Sequence, residues 1–199
     1  ILSCAANLGW PLQQLDVKNA FLHGDLEEEV YMEIPPGFST QSTVGKVCRL
    51  KKALYVLKQS PQAWFDRFLK AMLRFGYKQS NADHTMFVKR HANKVTVLIV
   101  YVDDIVVTGN DEEEETHLKM LLAKEFEIKD LGPLRYFLGI EVARSDKGIF
   151  LSQRKYILDL LEETGMAGCR PADSPIEANH HLCSGVGDLV EKERYQRLV

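Results

Sequence analysis

The spacing of apolar and polar residues predicts a chain in which short strands alternate with a few helices. The clearest helix is SPQAWFDRFLKAMLRFGY, because Ser60 suits an N-cap, Pro61 a first helical position and Gly76 a C-terminal stop. Its apolar side chains recur at helical spacing and share one face, made of Trp64, Phe68, Ala71, Met72 and Phe75. We interpret this face as part of a hydrophobic core and not as a ligand-binding surface.

Two further helices and a set of strands follow from the same patterns. DEEEETHLKMLLAKEF has acidic residues in its first turn, which suits the helix dipole and predicts a solvated start. Its buried face would hold Leu118, Leu121 and Leu122. QRKYILDLLEETG predicts a later helix that starts near Ser152, with an inward face made of Tyr156, Ile157, Leu160 and Leu161. The expected strands are LQQLDV, MFVKR, KVTVLIVYV, IVVTGN, LRYFLGIEVAR and GIFLSQ.

Residues 97–108, VLIVYVDDIVVT, form an apolar run that two adjacent aspartates interrupt at its centre. Valine and isoleucine dominate both flanks, which is typical of buried strands. Two carboxylates about 4 Å apart repel by roughly 4 kcal/mol at an effective dielectric constant near 20, and burying an unpaired one adds a desolvation cost. Two explanations stay open at this point: Asp103 and Asp104 lie in an exposed hairpin turn, or they bind a metal ion.

The composition is that of an ordinary globular domain. The 199 residues are 45% hydrophobic and 27% charged, and no stretch resembles a secretory signal or a membrane span. We therefore expect one soluble domain with no membrane partner. The four cysteines form no CxxC pair, which indicates reduced thiols in an intracellular compartment. The first residue, Ile1, and the ending RYQRLV suggest a piece of a longer protein.

The net charge of −3 hides two oppositely charged stretches. Residues 44–78 contain nine Lys and Arg against one acidic residue, a balance of +8, whereas residues 103–130 contain ten acidic residues against three lysines, a balance of −7. A basic surface beside an acidic focus would suit a polyanion held next to a cation site. Two solvated helix faces would give the same counts, so both interpretations stay open.

A third carboxylate stands at the end of another expected strand. Asp16 follows the apolar positions of LQQLDV, and three carboxylates from two neighbouring strands would suffice to hold two divalent ions for phosphoryl transfer. The segments LDVKNAFLHGDLEEEVYMEIPPGF, ALYVLKQSPQAW, YVDDIVVTG, FLGIEV and LSQRKYILDLLEETGM occur in that order. Together they closely resemble the reverse transcriptase of copia-type LTR retrotransposons, over nearly the whole chain.

The resemblance implies an α+β fold of the polymerase palm type, an antiparallel sheet backed by helices, without most of the fingers and the later domains. Residues 1–166 would be the palm with a remnant of the fingers, and residues 167–199 a linker and the start of the connection segment. The implied function is RNA-directed DNA polymerase within a retrotransposon polyprotein. Its partners would be an RNA template, a DNA primer, deoxynucleoside triphosphates and other parts of the polyprotein, in cytoplasmic virus-like particles or the nucleus.

The resemblance also assigns the catalytic residues. Asp16 and Asp103 would be the main ligands of two Mg²⁺ ions, or of Mn²⁺, with the Val17 carbonyl as a further oxygen ligand and Asp104 in an assisting role. The ions would lower the pKa of the primer 3′ hydroxyl and neutralise phosphate charge as pyrophosphate leaves.

Other positions match motifs that contact the substrates. Phe21 matches an aromatic steric gate against the ribose 2′ hydroxyl, although an ordinary core aromatic would look the same. Lys129 loosely matches a motif that assists the leaving group, and a solvated lysine is its alternative. The nucleotide and template side of the cleft would be lined by Lys58, Gln59 and Ser60, and the primer end gripped by Phe137, Leu138 and Gly139.

Two departures from the family pattern keep other functions open. Val56 stands where LYGLKQ has glycine, and Gln62 replaces an arginine that would contact a phosphate. A decayed or domesticated copy would bind nucleic acid without polymerising. A metal-dependent nuclease or phosphatase would use the same carboxylates with a general base, for which His23 and His84 are the candidates near in sequence.

A zinc site in the region after residue 166 is a weaker possibility. The pattern of cysteine and histidine matches no familiar zinc motif, so we expect solvated side chains there; the residues concerned are Cys169, His180, His181 and Cys183.

Overall fold

The computed structural model describes residues 1–38, 40–43, 45–174, 191–192 and 195–196, and its secondary structure mixes helices with antiparallel strands, in agreement with the expected α+β class. The helices are α1 (Leu2–Leu8), α2 (Ser60–Arg74), α3 (Glu112–Glu125) and α4 (Arg154–Glu163). The strands are β1 (Leu12–Val17), β2 (Tyr31–Glu33), β3 (Val47–Arg49), β4 (Lys78–Gln79), β5 (Met86–His91), β6 (Lys94–Tyr101), β7 (Asp104–Gly109), β8 (Ile128–Pro133), β9 (Tyr136–Phe137), β10 (Ile140–Ser145) and β11 (Gly148–Ser152).

The main sheet is antiparallel, with the strand order β4-β5-β6-β7-β1-β8. The strands β6 and β7 form the hairpin that the sequence predicts, and its turn consists of Val102 and Asp103. Next to it lies β1, with Leu12 opposite Thr108 and Asp16 opposite Asp104. The sheet therefore brings the end of LQQLDV to the start of IVVTGN, although 87 or more residues separate them in sequence.

The two faces of this sheet carry separate hydrophobic cores, because strand side chains alternate between faces. The helix face, which contains Leu15, Val17, Ile105 and Val107, packs against α2 and α3 through Trp64, Phe68, Leu118 and Leu122. The opposite face, which we call the carboxylate face, contains Leu12, Gln14, Asp16, Asp104 and Val106. A smaller core there joins Leu12 and Val106 to Ala5 of α1, Leu134 and Val142.

The chain divides into two compact units, Ile1–Phe137 with Val142–Phe150, and Leu138–Glu141 with Leu151–Val199. The main sheet and the helices α1 to α3 belong to the first unit, and α4 belongs to the second. The first unit also contains the short pair of β2 and β3, in which Met32 lies opposite Cys48. Within the second unit the Ser152 hydroxyl donates a hydrogen bond to Glu141 at 3.1 Å.

The apolar stripe of α2 is a core face, as the sequence predicts, but the predicted caps are wrong by one residue. Gln59 is the N-cap, so Ser60 is already helical, and Gly76 (φ 83°) follows the C-cap Phe75. The predicted strand LRYFLGIEVAR is interrupted, because Leu138 and Gly139 have left-handed backbone conformations (φ 50° and 79°) and separate β9 from β10.

The predicted inward face of the last helix is also wrong. None of the residues of α4 is buried, and Tyr156 and Ile157 are about half exposed. An amphipathic pattern shows only which side of a helix suits a covering partner. It does not establish that a partner is present.

The acidic start of α3 is only partly solvated, which corrects a third expectation. Asp111 is the N-cap and accepts a hydrogen bond from the Glu114 amide. Glu115 is 6% exposed, and its Oε1 has no hydrogen-bond partner among the described residues. Burial raises the pKa of Glu115 to about 7, and Glu112 and Asp111 add to the shift while Lys119 opposes it.

The predicted linker at 167–199 falls mostly outside the described residues, as do His180, His181 and Cys183 of the possible zinc site. Cys169 is described, and it is a free, exposed thiol. In the described part of the chain, no helix combines the length and the hydrophobicity needed to cross a membrane.

Candidate active site

The three aspartates are placed by the pairing of β1 with β7. The Val17 amide donates to the Asp103 carbonyl at 2.8 Å, so these two residues form a hydrogen-bonded pair. The next pair, Asp16 and Asp104, is therefore a non-hydrogen-bonded pair. In such pairs the Cα atoms are about 4.5 Å apart and the side chains are at their closest. The backbone thus sets Asp16 and Asp104 side by side, with Asp103 at the adjoining turn.

The turn that carries Asp103 is held in a strained conformation. Val102 has φ 54°, a left-handed value that β-branched residues rarely adopt. The buried Trp64 of α2 donates its indole N–H to the Val102 carbonyl at 2.7 Å. Because this bond joins the turn to the helix behind the sheet, α2 helps to fix the position of the two aspartates.

The carboxylates lie on the carboxylate face, away from α2 and α3. Asp16 alternates with Leu15 and Val17, which point into the core of the helix face. Tyr101 lies opposite Asp104 on β6, and Lys129 lies opposite Asp16 on β8, so these four residues form a row across the sheet. Tyr101 is half exposed, and the row is accessible from solvent.

The electrostatics of this row favour a bound cation. Burial, followed by the negative charges of Asp103 and Asp104, raises the pKa of Asp16, and the positive charge of Lys129 opposes the shift. Carboxylates that hinder one another's ionisation are stabilised when a cation is placed among them.

The side chains are nevertheless not closed around a metal position. Within the described ranges, no three His, Cys, Asp or Glu side chains stand together closely enough to hold an ion. The Asp104 carboxylate is instead engaged by Gln14, whose Nε2 lies 3.0 Å from Oδ1. The donor set fits Mg²⁺, which prefers carboxylate and carbonyl oxygens, and the backbone brings these donors to neighbouring positions.

Phe21 lies on the short 3-10 turn Ala20–His23, which follows β1. Its ring is half-buried and packs against Tyr55, with the centroids 4.9 Å apart. Part of the ring also contacts the core of the helix face. The position therefore agrees both with a gate and with a core aromatic.

The expected nucleotide-side residues lie where the chain enters α2: Lys58 and Gln59 precede the helix, and Ser60 is its first residue. Lys58 is exposed, and the Gln59 amide donates to Glu28 at 3.0 Å. Ser60 is fully buried and donates its hydroxyl to the Leu54 carbonyl, so it supports the loop from within. Only Lys58 and Gln59 of this set present polar side-chain atoms toward solvent.

The two departures from the family pattern lie at the surface. Val56 is 95% exposed, and it is not among the described non-glycine residues with left-handed φ. The fold therefore does not require glycine at this position. Gln62 donates to Asp66 one turn further along α2, at 3.2 Å.

The expected primer-side residues lie at the break between β9 and β10. Phe137 is partly buried in the core of the carboxylate face and belongs to the first compact unit. Leu138 and Gly139 form the left-handed turn that follows and belong to the second unit.

The histidine candidates for a general base do not support a nuclease. His23 packs against Trp64 and Phe126, with centroid distances of 5.9 and 5.5 Å, and its Nε2 lies 3.2 Å from the Lys18 carbonyl oxygen. This environment is on the helix face, on the other side of the sheet from the carboxylates. His84 lies in the turn before β5, two strands away from Asp104.

The basic stretch at 44–78 is partly neutralised by acidic neighbours. Arg49 pairs with Glu29 at 3.2 Å, and Lys52 pairs with Asp25 at 2.5 Å. Glu125 accepts from both Arg67 and Arg74, at 2.6 and 3.0 Å. Charge counts along the sequence therefore overstate the basic character of this surface.

Sequence reasoning missed Gln14 as a residue of the site. The signal was available, because Gln14 precedes Asp16 by two positions and so shares its face of the strand. A polar residue among the apolar positions of LQQLDV then needs a polar partner when it is buried. Which partner it finds depends on the pairing of β1 with β7.

Comparisons with known proteins agree with the resemblance. A family model described as reverse transcriptase (RNA-dependent DNA polymerase) matches residues 1–178. The chain is 43% identical over 200 residues to the retrovirus-related Pol polyprotein from transposon RE2 of Arabidopsis thaliana, covering 100% of this chain and 14% of that protein. It is 42% identical over 185 residues to the Pol polyprotein from transposon TNT 1-94 of Nicotiana tabacum, covering 92% of this chain and 14% of that protein.

A more distant relative is the putative transposon Ty5-1 protein of Saccharomyces cerevisiae, which is 28% identical over 163 residues, 81% of this chain and 53% of that protein. The chain thus spans about one seventh of the length of the plant polyproteins that it matches.

Proposed function

The chain belongs to the reverse transcriptase (RNA-dependent DNA polymerase) family, in its copia-type Pol polyprotein branch, and from that premise we propose that it is the palm of an RNA-directed DNA polymerase. The observation that carries the proposal is the register of β1 and β7, which sets Asp16 opposite Asp104 beside Asp103 on an accessible face. The antiparallel sheet with α2 and α3 on its other face suits a palm. We further propose residues 1–166 as this palm with a remnant of the fingers.

The carboxylates supply the chemistry of the site. Asp16 and Asp103, with the Val17 carbonyl, would hold two Mg²⁺ or Mn²⁺ ions, and Asp104 would assist. Reverse transcriptases generally use divalent metals, and when bound here the ions would activate the primer 3′ hydroxyl and neutralise phosphate charge. Burial raises the pKa of Asp16, and a positive charge bound beside it would favour its ionised form. The strained Val102 turn, which accepts a hydrogen bond from Trp64, would keep Asp103 and Asp104 in place during the reaction.

The remaining residues would bind and select substrates. Phe21 would exclude the ribose 2′ hydroxyl, and Lys58 and Gln59 would contact the incoming nucleotide or the template. Ser60 would act indirectly, since its buried hydroxyl supports the loop. The turn at Phe137, Leu138 and Gly139 would contact the primer. The substrates would be an RNA template, a DNA primer and deoxynucleoside triphosphates, handled inside virus-like particles of the cytoplasm or in the nucleus.

A second candidate is a copy that binds nucleic acid without polymerising. The observation that favours it is Gln62, which hydrogen-bonds Asp66 at a position where the family pattern has an arginine for a phosphate. Val56 adds little to this alternative, because its side chain is almost fully exposed and its backbone conformation is open to valine.

The deciding experiment is Mg²⁺-dependent primer extension on an RNA template. The chain is assayed as it stands and joined to the preceding sequence of a plant relative, beside an Asp103→Asn/Asp104→Asn variant of each. Extension that the double variant loses supports the polymerase. A folded parent that binds primer and template but extends nothing in either form supports the second candidate instead.

A further inference from the structure

We propose that Gln14 is a positioning residue of the carboxylate site: its amide holds one oxygen of Asp104 and leaves the other available to the cation. This inference rests on the proposed function and assigns a role to a residue that lies outside the segments quoted for the resemblance. Three observations carry it: the burial of Gln14, the irregular pairing on its other side, and the electrostatics of the three aspartates.

The first observation is a partly buried, specific hydrogen bond. Gln14 is 8% exposed, and its Nε2 lies 3.0 Å from Asp104 Oδ1. A hydrogen bond from an amide to an ionised carboxylate is shorter and about twice as strong as one between neutral groups. Removing the donor would leave the Asp104 side chain free to rotate.

The second observation is a bulge in β8 beside Gln14. The pairing runs from Gln14 opposite Gly132 to Leu15 opposite Asp130, so Leu131 is an extra residue on β8. Bulges of this kind commonly re-aim side chains next to active sites. Because Gly132 has no side chain, the neighbour of Gln14 on that strand offers it no partner, and the amide reaches toward β7 instead.

The third observation is the mutual repulsion of the aspartates. Asp16 lies directly opposite Asp104, with Asp103 at the adjoining turn, and like charges directly opposite each other on a sheet repel. Three unrestrained carboxylates would tend to turn away from one another before a metal arrives. A fixed Asp104 lowers the ordering cost of metal binding, which is the usual contribution of groups that orient metal ligands.

The test measures metal affinity without requiring catalysis. Mn²⁺ binding to the 199-residue chain is followed by water-proton relaxation in the parent and in Gln14→Met, which keeps the side-chain length but removes the donor. We expect about 10-fold weaker binding, in the range found for partners of metal ligands. The matched control is Gln13→Met, the same change on the opposite face of β1. Its affinity should stay within about 2-fold of the parent, since this side chain points away from the carboxylates and shares no partner with them. If Gln14→Met does not fold, Gln14→Asn, whose amide is too short to reach, replaces it.

A double-mutant cycle then separates positioning from general disturbance. In an Asp104→Asn background, Gln14→Met should weaken Mn²⁺ binding no further, because the group through which it acts is gone. Each of three results would overturn the inference. The first is a parent-like Mn²⁺ affinity in both Gln14→Met and Gln14→Asn. The second is an equal loss of affinity in Gln13→Met, and the third is the same loss from Gln14→Met when Asp104 is already asparagine. A parent that binds Mn²⁺ but extends no primer would overturn the polymerase proposal while leaving the role of Gln14 intact.

Discussion

Phe21 shows how far a single side chain can be interpreted from its surroundings. It follows Asp16 by five residues, and its ring is held against Tyr55 with the centroids 4.9 Å apart. A ring that packs against a neighbouring ring is hindered from moving aside for a bulkier sugar. The same packing would also stabilise an ordinary core aromatic, so substrate selectivity decides between the two roles.

We therefore expect Phe21→Ala to relax sugar selection in an active form of the protein. The ratio of kcat/KM for deoxynucleotide to that for ribonucleotide should fall by about 10- to 100-fold, since a steric pocket distinguishes one hydroxyl by roughly this factor. Single-nucleotide insertion with each sugar measures the ratio. Phe38→Ala, at an exposed aromatic, serves as the control. An active Phe21→Ala variant with an unchanged ratio would leave Phe21 with a packing role only.

At the scale of elements, the site depends on how closely the 3-10 turn Ala20–His23 approaches α2. A Cβ atom added to Gly24 would lie 2.8 Å from the Trp64 backbone nitrogen and 2.9 Å from the Ala63 carbonyl carbon. Gly24 has φ −64°, which any residue can adopt, so the requirement for glycine is purely steric. The contact joins the turn that carries Phe21 to the helix that holds the Val102 turn.

We expect Gly24→Ala to lower the free energy of unfolding by about 1–3 kcal/mol, the usual cost of overpacking. Urea denaturation followed by Trp fluorescence measures it. Gly168→Ala is the matched control, because an added Cβ there meets nothing within 4 Å, and its effect should stay within about 0.5 kcal/mol. A parent-like denaturation midpoint for Gly24→Ala would show that the turn and the helix do not touch in solution.

The elements that the sequence predicted well are those with local signals. Periodic apolar residues and a proline at the start indicated α2, and the run on each side of Asp103 and Asp104 indicated the β6–β7 hairpin. The sequence did not predict features that lack a local signal. Gln14 reaches Asp104 only because β1 and β7, far apart in sequence, pair in one register. Leu138 and Gly139 break a strand that the apolar pattern would continue.

At the scale of the molecule, the charges are arranged differently from their order along the chain. Part of the basic stretch at 44–78 meets acidic residues from two other segments, Asp25 to Glu29 and Glu125. The pairs of Glu125 are partly buried, whereas the Arg49–Glu29 and Lys52–Asp25 pairs are largely solvent-exposed, so these two contribute little to stability. Their larger effect is to reduce the positive field that would attract a nucleic acid from a distance.

The acidic start of α3 makes the stability of the whole molecule depend on pH. Burial raises the pKa of Glu115 from an ordinary value near 4.5 to about 7, so the folded state binds a proton more tightly than the unfolded chain. The contribution of Glu115 to the free energy of unfolding should therefore be greatest below about pH 4.5. It should fall by roughly 3 kcal/mol in total as the pH rises to about 7. The raised pKa of Asp16 changes the free energy of unfolding in the same direction. Four other aspartates have lowered pKa values and therefore affect stability only below about pH 4; they are Asp25, Asp83, Asp111 and Asp130.

Glu115→Gln isolates this contribution, because glutamine keeps the shape of the side chain but cannot ionise. We expect the variant to be more stable than the parent at pH 8 and to lose most of the decline in stability between pH 5 and pH 8, measured by urea denaturation across that interval. Glu113→Gln, at an exposed residue of the same helical turn, should keep the parent's decline. A Glu115→Gln variant that declines as steeply as the parent would mean that Glu115 is solvated in the folded protein, and that the start of α3 lies open to water as its acidic sequence suggests.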